Sequence, residues 1–286
     1  MYPKILAAHP LVVELKKDLR LRCEKLKNRG IIPSMCVVLV GDNPASLTYI
    51  KNKQKVCEEI GAHFKLVQMP ASVEAHDFLN QLHQLNQDHS VHGIIIQLPV
   101  SESLKILNIP NLVTPEKDID GFNGANTQAI YTGTTNLQLL LPCTPKGIIN
   151  LLNYYGINVD GKHVVVIGRS LIVGKPLAML LSNLNATVTL AHSKTKNLKQ
   201  ITQTADIIVS AIGKSEFITP DYLGNSPQIL IDVGINNLNG KLTGDISKEA
   251  QEKALAYTPV PGGVGPMTVI SLIENLITAT ENQVKG

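Results

Sequence analysis

The chain has 286 residues, 44% of them hydrophobic and 17% charged, and a formal net charge of +3. Its apolar content suffices for one large or two ordinary globular domains and excludes a disordered chain. The charges are spread through mixed stretches such as KKDLRLRCEKLKNR, with no basic tail, which favours solvated helix faces over nucleic-acid binding and leaves room for anionic small molecules. Cys23, Cys36, Cys57 and Cys143 stand singly, without CxxC or CxH spacing. Neither a disulfide framework nor a zinc or other metal site is indicated, and a reducing cytosol is the expected setting. The start, MYPKILAAHP, has no charged region followed by a long apolar run, and no stretch approaches membrane-spanning length. The expectation is a soluble, cytoplasmic protein with neither nucleic acid nor membrane as partner.

In chain order, helical patterns at 11–29, 45–60 and 73–87 are interleaved with apolar runs at 35–41 (MCVVLVG) and 91–99 (VHGIIIQLP). Near-continuous Val and Ile mark strands covered on both faces. The stretch 108–145 breaks the rhythm with turn residues and reads as a connection between two α/β domains. Helices at 144–155, 175–185 and 195–205 then alternate with strands at 163–168, 186–192, 206–213 and 228–234. Such alternation implies parallel sheets with right-handed crossovers. Before the last helix, 267–282, PVPGGVGP alternates proline and glycine more tightly than a linker does. It reads as a loop that brings backbone close to a ligand.

In VVVIGRSLIVGKP a strand ends at Gly168 and a helix is expected near Gly174, with Pro176 in its first turn. Helix N-terminal amides there suit a phosphate, although the spacing is not GxGxxG and a bland strand-to-helix turn is an equal reading. The next strand ends in AHSKT, where an NAD site usually has Asp or Glu for the ribose hydroxyls. Arg169 with His192, Ser193 and Lys194 suits a ribose 2′-phosphate, hence NADP; the alternative is solvated surface cations. In the first half, Lys53 has Tyr49, Ile50, Val56 and Cys57 at helical contact spacing. It either snorkels to the surface or sits in a partly dry cleft with a lowered pKa. Tyr49, on the same side, is either core or a surface for stacking on a flat ring. Gln97 is expected at the carboxyl end of a strand, where ligands of open α/β sheets bind. Asp120, beside a glycine, is by itself a turn former.

Taken together, YIKNK, IIIQLP, KDIDGF, PCTPKGI, IGRSLIVGKP, HSKT, IDVGIN and TPVPGGVGPMTV resemble, in order and spacing, the bifunctional methylenetetrahydrofolate dehydrogenase/methenyltetrahydrofolate cyclohydrolase family. The resemblance implies two α/β domains flanking a cleft, the second a Rossmann-like, mostly parallel sheet. The folate-binding catalytic domain would comprise 1–120 and 267–286, and the NADP-binding domain 141–266. It implies Lys53 as the catalytic lysine, Gln97 as the partner orienting it, Tyr49 packing on the pterin and Asp120 hydrogen-bonded to it. Ile96, Leu98, Pro261, Gly262, Gly263 and Gly265 would also contact the folate, and Gly168, Arg169, Ser170, Ser193 and Ile235 the NADP. A homodimer through the nucleotide domain is implied as well. Two stretches depart from the family pattern: Asn123 to Gln128 replaces a run beginning His-Pro, and Ala7-Ala8-His9 replaces Asp-Gly-Lys, at a place expected to lie away from the chemistry.

The chemistry implied is hydride transfer from the folate methylene to the nicotinamide, which positioning of the two rings should dominate. Water then attacks the methenyl cation. A protonated lysine beside that cation would oppose the attack, so Lys53 serves best neutral, as a base. The rival readings are another NADP-dependent oxidoreductase, separable by a substrate screen, and a nucleotide-binding regulator without catalysis, separable by a turnover assay.

Overall fold

The structure, a computed structural model, describes residues 3–133, 139–238 and 240–284. The elements of the first half are β1 (Lys4–Ile5), α1 (His9–Lys27), β2 (Ser34–Val40), α2 (Pro44–Glu59), β3 (His63–Met69), α3 (Ala75–Gln87), β4 (Gly93–Gln97) and α4 (Gly124–Tyr131). There follow α5 (Cys143–Tyr154), β5 (His163–Ile167), α6 (Gly174–Asn183), β6 (Thr187–Ala191), α7 (Leu198–Gln203), β7 (Ile207–Ser210) and β8 (Ile229–Asp232). A hairpin of β9 (Asn236–Leu238) and β10 (Lys241–Thr243), then α8 (Lys248–Lys253), β11 (Ala256–Tyr257) and α9 (Val264–Gln283), complete the chain.

The chain divides into two compact α/β units, one of residues 14–143 and 269–286, the other of 1–13 and 144–268. In the first, β3, β2 and β4 form a parallel sheet with β2 in the centre. The central strand is buried along nearly its whole length, which is why MCVVLV carries no polar alternation. Phe78, Leu82 and Leu85, spaced i, i+4, i+7 along α3, bury against Val38, Ile94 and Ile96. Arg22 of α1 makes a paired ion contact to Glu281 of α9, at 3.0 and 2.8 Å. β3 has no apolar run to announce it, because, unlike the other edge strand β4, its side chains are largely exposed. The expected connection 108–145 belongs mostly to this unit and contains the unforeseen α4; residues 134–138 of it lie outside the described residues.

In the second unit the order β1-β11-β8-β7-β5-β6 is parallel at every pairing. Alternate residues of β5 serve opposite faces. Val164 and Val166 pack with Leu177, Leu181, Ile148 and Leu152, and Val165 and Ile167 with Ile208, Leu230 and Ala250. Since β5 is flanked by β6 on one side and β7 on the other, the direction of winding reverses between β5 and β7, and the crevice of such a sheet opens there, at the carboxyl ends. Residues 1–13 group with this unit because β1 adds to β11 as an edge strand, and Met267 packs against Gly147, where a Cβ would lie 2.8 Å from the Met267 Cβ.

Candidate active site

Helix α2 begins where Asn43 accepts hydrogen bonds from the amides of Ala45 and Ser46 at 3.0 and 3.1 Å, with Pro44 in the first position. Ile50 and Cys57 anchor its buried face. Lys53, between them and half-buried, does not snorkel free: its Nζ donates to Gln97 Oε1 at 3.1 Å. Gln97 ends β4, and its Nε2 donates to the Leu98 carbonyl at 2.9 Å. Both ends of the amide thus have partners of the right polarity, which leaves the oxygen facing the lysine. Tyr49, one turn before Lys53, is 48% exposed, so it is not a core residue. Its ring is open to a flat partner. Ile96 is buried in the sheet and Leu98 is exposed beyond it, before the cis Leu98–Pro99 bond.

The segment that carries Asp120 runs beside β4. Ile94 and Asp118 form a parallel bridge, and a Cβ on Gly93 would collide with Ile119 and Leu276, so glycine lets the segment approach. Asn275 of α9 donates to the carbonyls of Ile119 and Leu141, both at 2.8 Å. The turn itself is organised by Asp118, which is 4% exposed. Its carboxylate accepts from the Gly121 amide at 3.1 Å, the Asn123 amide at 2.7 Å and Asn126 Nδ2 at 2.9 Å. Gly121 has a φ of +77°, and a Cβ there would lie 2.4 Å from the Leu141 carbonyl carbon, so no other residue fits. Burial pushes the Asp118 carboxyl up to about 6 against the pull of these donors.

Asp120 is the opposite case. Its carboxylate accepts no hydrogen bond among the described residues, although protein surrounds it and only part of its surface is accessible. Burial raises its pKa, and the charge of Lys53 acts the other way. An acceptor-only group largely enclosed by protein and without a protein donor is poised for one brought by a ligand. The turn-forming role expected of Asp120 therefore belongs to Asp118, and sequence reasoning missed Asp118 altogether. The signal was there in the first aspartate of KDIDGF, but two carboxylates so close in sequence do not reveal which one the backbone consumes.

The departing stretch 123–128 is well accommodated. Asn123 caps α4 by accepting from the Ala125 amide at 2.8 Å and donates to the Val113 carbonyl at 2.8 Å. The Gly124 amide donates to Asn111 Oδ1 at 2.7 Å, a bond that a proline in this position could not make. Asn126 bridges Asp118 and the Pro115 carbonyl.

In the second unit, Gly168 leaves β5 with a φ of +121°, where a Cβ would lie 2.3 Å from the Ala211 carbonyl oxygen. Gly174, the first residue of α6, would place a Cβ 1.9 Å from the Gly168 carbonyl oxygen. Ser170 Oγ accepts from the Val173 amide at 3.1 Å. The two glycines hold a bare backbone turn against a helix N-terminus, a cradle that fits a phosphate of a dinucleotide. Arg169, Ser170, Ser193 and Lys194 are exposed around it, and no acid stands at the end of β6. Ile235 is 48% exposed.

The 259–265 loop has a cis Val260–Pro261 bond and a φ of +103° at Gly262. A Cβ on Gly263 would lie 2.6 Å from the Pro259 carbonyl oxygen, and one on Gly265 would lie 3.8 Å from Ile235 Cδ1. The loop expected to face folate is thus a neighbour of a residue expected to face NADP. Ala8, in one of the departing stretches, donates its amide to the Gly262 carbonyl at 2.8 Å, so this stretch is not remote from the loop. All four cysteines are buried and none is in a disulfide, and burial pushes the thiols of Cys36 and Cys57 up to about 11 and about 12, which disfavours their thiolates.

A dinucleotide-type parallel sheet on one unit and a lysine near a donorless carboxylate on the other define a two-domain α/β enzyme that uses a nucleotide cofactor. Comparison with known proteins narrows this class. The family model for the tetrahydrofolate dehydrogenase/cyclohydrolase catalytic domain matches residues 6–120, and that for the NAD(P)-binding domain matches residues 142–284. The bifunctional protein FolD of Campylobacter curvus is 45% identical over 285 residues, 99% of this chain and 98% of the relative. The crystal structure of the FolD methylenetetrahydrofolate dehydrogenase/cyclohydrolase of Campylobacter jejuni superposes with a TM-score of 0.94 at 40% identity, covering 98% of this chain and 99% of the other. The Trypanosoma brucei enzyme, complexed with NADP and an inhibitor, gives a TM-score of 0.93 at 30% identity, with both chains fully covered. The chain belongs to the tetrahydrofolate dehydrogenase/cyclohydrolase family.

Proposed function

We propose that the protein oxidises methylenetetrahydrofolate to methenyltetrahydrofolate with NADP and hydrolyses the product to formyltetrahydrofolate. The observation that carries this reading is the Lys53–Gln97 hydrogen bond beside the donorless carboxylate of Asp120. Asp120 accepts the paired ring and amino N–H donors of the pterin, and Tyr49 stacks on its face. Lys53, aimed by Gln97, takes a proton from the water that attacks the methenyl carbon. Pro261, Gly262, Gly263 and Gly265 offer backbone without side-chain bulk to the folate. NADP, when bound, supplies the hydride acceptor. Gly168 and Ser170 hold its phosphates, Arg169 and Ser193 its 2′-phosphate, and Ile235 its nicotinamide end. A spectrophotometric assay with methylenetetrahydrofolate and either NADP or NAD tests the whole reading; absence of nicotinamide reduction would sink it.

Arg169 carries the cofactor preference. A charge-assisted pair contributes on the order of 1.5–3 kcal/mol, so Arg169→Ala should weaken NADP binding about ten-fold or more while NAD binding changes little. Equal losses for both cofactors would remove Arg169 from the 2′-phosphate. We also propose a homodimer through the nucleotide-binding unit, supported by the unpaired edge that β6 presents in its sheet. Sedimentation at micromolar concentration should show twice the chain mass, and a monomer would refute the dimer.

A further inference from the structure

Two buried aspartates that no step above uses lie at the carboxyl end of the six-stranded sheet. Asp245 follows β10 and is wholly buried. Its Oδ2 accepts from Ser210 Oγ at 3.1 Å and from the amides of Ile212 and Gly213 at 2.8 and 3.3 Å. Its Oδ1 accepts from the Lys214 amide at 2.8 Å and from Asn236 Nδ2 at 3.2 Å. Asp232, at the end of β8, accepts from the amides of Gly234, Asp245 and Ile246 at 3.1, 2.9 and 2.9 Å. Glycines make this approach possible: a Cβ on Gly234 would lie 2.0 Å from Asp245 Oδ1, and one on Gly244 would lie 1.9 Å from Asp232 Oδ2.

The backbone gathered in this way borders the crevice. The 211–214 turn follows β7 and touches Gly168, which follows β5, so it lines the point where the winding reverses. Ile235 stands between Gly234, bonded to Asp232, and Asn236, bonded to Asp245. We propose that Asp245 is a positioning residue for the cofactor, holding the 212–214 turn and the Ile235–Asn236 segment in the form that a nicotinamide dinucleotide requires. The inference rests on the reading of this unit as the NADP-binding one. Its consequence is that hydride transfer depends on Asp245 far more than hydrolysis does, because the Lys53–Gln97 pair that activates water stands in the other unit.

The test is Asp245→Asn in the full-length protein. An amide has one acceptor oxygen, so either the Ser210–Gly213 donors or the Lys214–Asn236 donors lose their partner. Calorimetry should show the NADP Kd raised about ten-fold, with kcat and KM for methenyltetrahydrofolate hydrolysis within about two-fold of wild type. Asn236→Ala removes a single donor at the rim and should raise the NADP Kd about three-fold with hydrolysis and Tm unchanged; it decides the matter if Asp245→Asn does not fold. An unchanged NADP Kd in either folded variant, or an equal fall in both activities, would overturn the proposal. Failure of the wild-type protein to bind NADP would instead overturn the cofactor reading beneath it.

Discussion

Lys53→Met should nearly abolish hydrolysis of methenyltetrahydrofolate while the protein stays folded and binds NADP normally. Methionine keeps an unbranched apolar stem on the face of α2 that Ile50 and Cys57 bury, so packing changes little. Only the amine is lost. Gln97 remains held through its bond to the Leu98 carbonyl, and its freed oxygen stays partly accessible to water. A positioned general base contributes on the order of 10²- to 10⁴-fold, and a loss in that range is the expected fall in kcat for hydrolysis. Hydride transfer should fall less, because positioning of the two rings dominates that step and Lys53 contributes to it only by orienting the folate. Stopped-flow measurement of methenyl decay, with NADP titration as control, separates the effects. Full hydrolytic activity would mean that the Lys53–Gln97 pair is merely structural.

Asp120→Asn should impair both activities through the folate alone. The amide has the carboxylate's shape but turns an N–H₂ toward one of the two pterin donors, so one charge-assisted bond becomes a clash of donors. Such bonds contribute on the order of 1.5–3 kcal/mol, which predicts at least a ten-fold fall in kcat/KM for each reaction. Stability should move the other way or not at all. The folded-state pKa of Asp120 is raised by burial, so its ionised form is disfavoured in the folded protein; above that pKa the neutral amide removes a penalty. Since the turn is held by Asp118, a Tm at or above wild type is expected. A lowered Tm with normal folate kinetics would return Asp120 to a structural role.

Much of this architecture is legible in the residues alone, for a definite reason. β2, β5, β7 and β8 lie inside parallel sheets and β4, though at an edge, is buried along nearly its whole length, and strands covered on both faces must be apolar throughout; the runs of Val and Ile announce them. The apolar surroundings of Lys53 mark it out on the helix, and Gly168 and Gly174 mark the turn where backbone must pass close to backbone. β1, β11 and β3 are not legible. The first two are only two residues long and exist because neighbouring strands supply their ladder; the third is a largely exposed edge that packs Val67 and Met69 against the core.

The same limit governs the chemistry. Local pattern singles out Lys53 and Gln97 as polar groups against an apolar background, whereas Asp120 reads by itself as a turn former and is marked only by the family resemblance. Which polar groups are spent on holding the chain and which are left for a ligand depends on donors and on directions set elsewhere. Asp118 faces the Gly121, Asn123 and Asn126 donors because the bridge to Ile94 and the Asn275 amide fix the path of its segment. Asp120, two residues on, is left without a donor by that same path. Asp245 draws its five donors from Ser210, the 212–214 turn and Asn236, segments that the sequence separates by up to 35 positions. A carboxylate's role follows from which N–H groups surround it, and those neighbours are assembled by folding.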